Sequence, residues 1–132
     1  MRLHCVLAVT TLASAAAVVS ARPLDGIYSD IRPTDEGHEG AEVVVTSTSK
    51  NRYWAVVRCA DYTVGKPVRL LATVSGSQIE IEVDPSGQNR CPAGKFVGSF
   101  SRSGLTGKFQ DMSQLPSSWP VHKLQKKVAA WQ

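Results

Sequence analysis

Residues Pro67–Asp84 (PVRLLATVSGSQIEIEVD) constrain the fold more than any other stretch of the chain. Val68, Leu70, Ala72 and Val74 alternate with Arg69, Leu71, Thr73 and Ser75, and Ile79, Ile81 and Val83 alternate with Glu80, Glu82 and Asp84. A period of two with one apolar face belongs to half-buried strands. Gly76-Ser77 between the runs suits a two-residue turn whose first central position needs positive φ. Such a turn sets Val74 opposite Ile79, Ala72 opposite Ile81 and Leu70 opposite Val83. The other face then pairs Thr73 with Glu80, Leu71 with Glu82 and Arg69 with Asp84. Apolar side chains face each other and opposite charges meet, so pattern and turn chemistry agree.

Other strands follow from the same reasoning. Ala41–Thr48 (AEVVVTST) is β-branched, and Ser49-Lys50-Asn51 turns it into Arg52–Cys59 (RYWAVVRC). In that strand Tyr53, Ala55, Val57 and Cys59 share one face and Arg52, Trp54, Val56 and Arg58 the other. Ala60–Lys66 links it to the central hairpin. Pro85-Ser86-Gly87 ends the fourth strand, and Lys95–Gln110 (KFVGSFSRSGLTGKFQ) makes a further hairpin turning at Ser103-Gly104. That turn sets Phe100 opposite Gly107 and Gly98 opposite Phe109, with each ring covering bare glycine backbone. Six strands in three consecutive hairpins give an all-β domain over 41–112: a small antiparallel β-sandwich or partly open barrel.

The flanks differ in kind. Residues 1–21 (MRLHCVLAVTTLASAAAVVSA) carry Arg2, an apolar stretch and a small-residue cleavage site, the form of a secretory signal peptide. Cleavage after Ala21 leaves one domain of 132 − 21 = 111 residues. The mature chain keeps Cys59 and Cys91, and an even pair in an oxidising compartment reads as one disulfide. Residues 22–40 hold two prolines, three glycines and five acids and read as an irregular acidic leader, with a short strand at Gly26–Ser29. In the tail, 113–132, Val121, Leu124, Val128 and Trp131 fall on one helical stripe, which predicts a short C-terminal helix capped by Ser118.

Charge bounds the partners. The mature chain has fourteen basic and eleven acidic side chains, with the acids crowded before Lys50 and the bases after it. No dense Lys/Arg cluster marks a nucleic-acid surface, and no segment after the leader is long and apolar enough for membrane insertion. Catalytic signals are weak. Asp35-Glu36-Gly37-His38-Glu39 lacks a second histidine at ligand spacing and reads as a solvated loop in preference to a metal site. Glu80 and Glu82 suit a solvent face as well as a carboxylate pair. No nucleophile elbow or phosphate loop is present, so neither enzyme nor cofactor is expected.

Arg52, Trp54 and Arg58 have the composition of a protein-binding hot spot, if their face is exposed. The competing reading buries Trp54 in the core with the arginines reaching to water.

The order of parts around Tyr62–Cys91 resembles a known family. VGKPVRLLATVSG and SQIEIEVD form a hairpin, a short loop delivers QNRC, and another hairpin follows. This is similar to the MAX (ToxB-like) effectors of plant-pathogenic fungi, small secreted six-stranded β-sandwiches with a cysteine after the fourth strand. The resemblance covers about residues 42–110. It departs in that the family places the partner cysteine in the first strand, whereas Cys59 ends the second. It implies a secreted fungal virulence protein without enzymatic activity that binds host proteins, often through an exposed strand edge. The chain is expected to be a monomer. The alternatives are a bacterial periplasmic immunity or inhibitor protein, whose partner is a cognate toxin, and a lipocalin-like carrier of a small apolar ligand.

Overall fold

The computed structural model describes residues 24–49, 52–83, 87–110 and 121–127. Within them the chain is all β: β1 (Gly26–Ser29), β2 (Arg32–Thr34), β3 (Gly37–Ser49), β4 (Arg52–Val64), β5 (Val68–Ser75), β6 (Gln78–Val83), β7 (Gly94–Phe100), β8 (Gly104–Gln110) and β9 (His122–Lys127). Each strand from β3 to β9 pairs antiparallel with the next, and β1 bonds to both β3 and β9. Eight strands therefore close an up-and-down barrel, and β2 is an extra ribbon beside the first residues of β3. The six-stranded sandwich expected from sequence is replaced by this barrel, closed where a partly open one was expected. Closure removes the unpaired backbone that a sandwich leaves at its edges.

The added strands come from the flanks. The leader carries the expected short strand, β1 at Gly26–Ser29, and where irregular chain was expected it also carries β2 and the start of β3. β1 and β2 pair with β3 as one broken strand, and the break lies at Asp30, whose backbone N–H still reaches the Ala41 carbonyl at 3.1 Å. The Asp30 carboxylate holds the break together. Its Oδ1 accepts the Ala41 N–H at 2.6 Å, and its Oδ2 lies 3.2 Å from Nδ1 of His122 on β9. Gly40 across from it has φ of +118°, and a Cβ there would lie 2.6 Å from that same Oδ1.

The tail is the other correction. Instead of a helix, residues 122–127 form a strand that fills the gap between β8 and β1. Leu124 pairs with Leu105, and both point into the barrel at 1% exposure, while Val121, placed on the helical stripe, is 60% exposed. A helix of about a dozen residues gains little by itself. A strand here satisfies two open ladders, so tertiary pairing overrides the periodicity. Residues 113–120 and 128–132 of the expected helical tail lie outside the described residues, as does the expected signal peptide.

The interior is filled on both sides. Ala41, Val43, Val45, Ala55, Val57 and Ala72 point in from β3–β5, and Ile79, Ile81, Val83, Phe96, Leu105, Phe109 and Leu124 from β6–β9. Small side chains against large ones suit a narrow barrel. The central hairpin has the expected register, with Ala72 opposite Ile81, Thr73 opposite Glu80 and Val74 opposite Ile79. The next hairpin is displaced by two residues: Phe96 meets Phe109, Gly98 meets Gly107 and Phe100 meets Leu105. The turn centres on Arg102-Ser103, closed by Ser101 N–H to the Gly104 carbonyl at 2.8 Å. The glycines still make room for a ring, but that ring is Phe96. A Cβ on Gly107 would lie 2.5 Å from its Cζ, and one on Gly98 3.0 Å from its Cε1.

One end of the barrel is plugged. Cys59 at the upper part of β4 bonds to Cys91, which fixes the 87–91 loop over the end. Asn89 in that loop is fully buried. Its carbonyl accepts the Cys59 N–H at 2.8 Å and its Oδ1 the Cys91 N–H at 3.0 Å. Gly65 passes so close to the Asn89 carbonyl that no Cβ fits. β2, the start of β3 and the end of β4 project past this end as a short three-stranded ribbon.

Candidate binding face and barrel mouth

Alternation along β4 decides where Trp54 points. Ala55, Val57 and Cys59 are buried in the barrel, so Arg52, Trp54, Val56 and Arg58 stand on its outside. Trp54 is thus outside the core, half-buried against neighbours on the outer wall. Cross-strand register sets Thr46 on β3 and Leu71 on β5 at its sides, and Leu71 is 61% exposed. The Arg69 guanidinium lies over the indole, 4.1 Å from the ring centroid. A cation on an indole face is worth about 0.5–1 kcal/mol at an exposed site.

The three residues singled out from sequence share this wall but not one cluster. Arg52 is exposed at the start of β4, next to Trp54 on the outer face. Arg58 lies four residues along the strand, roughly 13 Å from Trp54 at the usual rise. Its Nε is 2.9 Å from Glu42 Oε1 on β3, so its charge is already answered. The partner that sequence reasoning missed is Arg69. The β4–β5 register brings it diagonally to Trp54. The expected Ala60–Lys66 link is mostly strand, since β4 runs on to Val64 against β3, so ten residues separate the end pair Val57–Val68 and no short turn specifies the register. Among the described residues neither Arg52 nor Arg69 has a carboxylate within ion-pair distance.

The carboxylate groups weighed for chemistry are spread out. Glu39 pairs with Arg32 at 2.6 Å, and Glu80 lies 3.4 Å from Lys95 Nζ on the outer wall. Asp35 and Glu36 form the β2–β3 turn, and His38 follows opposite Tyr62. Among the described residues no three of His, Cys, Asp and Glu are grouped to hold a metal ion.

At the unplugged end, the mouth of the barrel, the Tyr28 and Phe100 rings meet at 5.3 Å with a 58° tilt. The Tyr28 hydroxyl donates to the Leu24 carbonyl at 2.7 Å, and Lys126 Nζ stands 5.7 Å from the Tyr28 ring centroid. Burial of the phenol, and secondarily the negative charge of Asp25, push the Tyr28 pKa above its ordinary value near 10. A phenol that holds its proton more tightly when folded stabilises the fold below pH 10. That contribution is lost as pH rises through the raised value. Melting temperature followed from pH 8 to 11 therefore falls at the alkaline end, and Tyr28→Phe flattens part of that fall.

Compared with known proteins, the chain matches no protein-family model and gives no significant match to a curated protein or a solved structure. The chain carries one disulfide among its described residues, and no helix among them is long and apolar enough to cross a membrane.

Proposed function

We propose that this protein is a secreted, non-enzymatic binding protein that docks an acidic protein surface on the outer wall formed by β3, β4 and β5. The observation that carries this reading is Trp54 held outside the core. Arg69 lies on its face, Leu71 is exposed beside it, and Arg52 next to it lacks an ion-pair partner among the described residues. Tryptophan and arginine are the side chains most enriched at binding hot spots, and an indole already fixed by its neighbours loses little entropy on docking. Uncompensated guanidinium groups around an apolar centre favour a partner that presents carboxylates around an apolar anchor.

The effector and immunity readings both require such a partner, a host target in one case and a toxin in the other. Docking by strand addition has less support, because the barrel is closed and the ribbon past its end has only short edges, the three residues of β2 and the last four of β4. A carrier with its ligand inside the barrel has less still, since Phe96, Ile79, Ile81, Leu105 and Leu124 occupy the interior.

The test is capture from host and bacterial extracts by the purified protein and by two variants. A partner specific to this wall is retained by the wild type, released by rising salt, and bound at least about tenfold more weakly by Trp54→Ala and by Arg52→Glu. Trp54→Ala should meanwhile lower the melting temperature by no more than about 4 °C, the scale of roughly 1 kcal/mol in a domain this size. Equal capture by wild type and both variants would count against this wall.

A further inference from the structure

We infer that the mouth of the barrel is a second binding site, independent of the outer wall, for a small amphipathic anion: a carboxylate or sulfonate carrying an aromatic ring or short acyl chain. A pocket of about 360 Å³ opens there, where the β5–β6 turn, the β7–β8 turn, the approach to β1 and the end of β9 meet. That volume lies at the small-ligand end of the usual range for binding pockets, about 300–1,000 Å³. Tyr28 and Phe100 make an aromatic floor, Leu24 forms a wall, and Ser77 offers a hydroxyl at the rim.

Charge selects the ligand. Arg102 and Lys126 line the same pocket from separate elements, the β7–β8 turn and β9, and among the described residues neither meets a carboxylate within ion-pair distance. Asp25, the acid whose charge reaches Tyr28, is engaged elsewhere: its Oδ1 accepts the Ser47 N–H at 2.9 Å, and its Oδ2 lies 3.0 Å from Ser47 Oγ. Two cations above an apolar floor favour a ligand with an anionic head and an apolar body, since the head meets both charges while the body covers the rings. The closed, filled barrel below gives the floor rigidity, so little ordering is lost on binding.

The probe is 1-anilinonaphthalene-8-sulfonate, titrated into the purified folded protein with fluorescence readout, followed by displacement with octanoate and with octanol. Saturable single-site binding is expected, reversed by octanoate at concentrations about tenfold lower than octanol requires. Arg102→Glu together with Lys126→Glu should weaken the dye by about tenfold or more, and Arg102→Glu alone by less in the same direction. Both side chains are exposed, so circular dichroism and the melting curve should remain those of the wild type. Trp54→Ala should leave dye affinity unchanged, which separates this site from the outer wall. Unsaturable dye binding, equal displacement by octanol and octanoate, or affinity within twofold after both charge reversals would overturn the assignment.

Discussion

Replacing Cys59 and Cys91 together by serine lowers the free energy of unfolding by about 3–4 kcal/mol, the chain-entropy value for a crosslink of this span. The bond joins residues 32 apart. For a domain of this size that is a fall in melting temperature of roughly 12–20 °C. More than a loop tether is lost. The bond holds Asn89 at full burial, where its backbone and side-chain oxygens accept the N–H groups of Cys59 and Cys91. Freed of that anchor, the 87–91 loop exposes the upper ends of β4 and β6. Differential scanning calorimetry of the oxidised protein, the reduced protein and the double variant measures the effect. Reduced wild type and double variant should melt together, well below the oxidised form. A difference of less than about 1 kcal/mol would mean that the packed barrel holds this end without the bridge.

Gly104→Ala should be among the most damaging single-methyl changes at the described glycines. Gly104 opens β8 with φ of +155°, and a Cβ there would run into the backbone carbonyl of Leu124 on β9. Main chain cannot swing aside as a side chain can, so β8 and β9 must separate at their first pair, Gly104 with Gln125. The cost should be about 2–4 kcal/mol, with amide exchange in β9 accelerated ahead of the rest of the barrel. Gly76→Ala is the internal control. Gly76 also has positive φ, +59°, but nothing lies within 4 Å of an added Cβ. It should cost only the left-handed strain, about 1–2 kcal/mol. Equal costs at the two positions would mean that the β8–β9 contact tolerates the methyl.

What could be read from the chain alone was whatever short-range chemistry specifies. Gly76-Ser77 joins two alternating runs and fixed their register correctly, because a two-residue turn leaves no slack. The Cys59–Cys91 pair was legible from cysteine number, and period-two alternation showed which of residues Arg52–Cys59 share a face, but not which of the two faces is the buried one. The Lys95–Gln110 register was displaced because Ser101 to Gly104 offer several adjacent turns, and only the fit of the Phe96 ring against Gly98 and Gly107 chooses among them. β9 was hidden for a different reason. Val121, Leu124, Val128 and Trp131 carry a real helical period, and the competing pull, two unfilled ladders on β8 and β1, is visible only once the rest of the barrel exists. The outer-wall site was half legible: alternation put Arg52, Trp54 and Arg58 on one face without deciding whether that face lay inside or outside. Arg69 was not legible at all, since its place over the indole depends on β4–β5 pairing whose end pair, Val57 with Val68, is separated by ten residues. The barrel mouth was invisible because Tyr28, Phe100, Arg102 and Lys126 come from three distant parts of the sequence.

Completing the ring with β9 also sets an order on how the molecule can be made. Of the described strands β1 is the first to be synthesised, yet one of its two neighbours is almost a hundred positions away and is the last of them. Distant pairing of this kind slows folding, since the loop must close before any contact rewards it. Until synthesis has passed Lys127, a growing chain can hold hairpins but not the finished cylinder. A polypeptide that cannot finish folding before its final strand arrives stays threadable for as long as translation lasts, the state in which a chain passes most easily through a narrow channel.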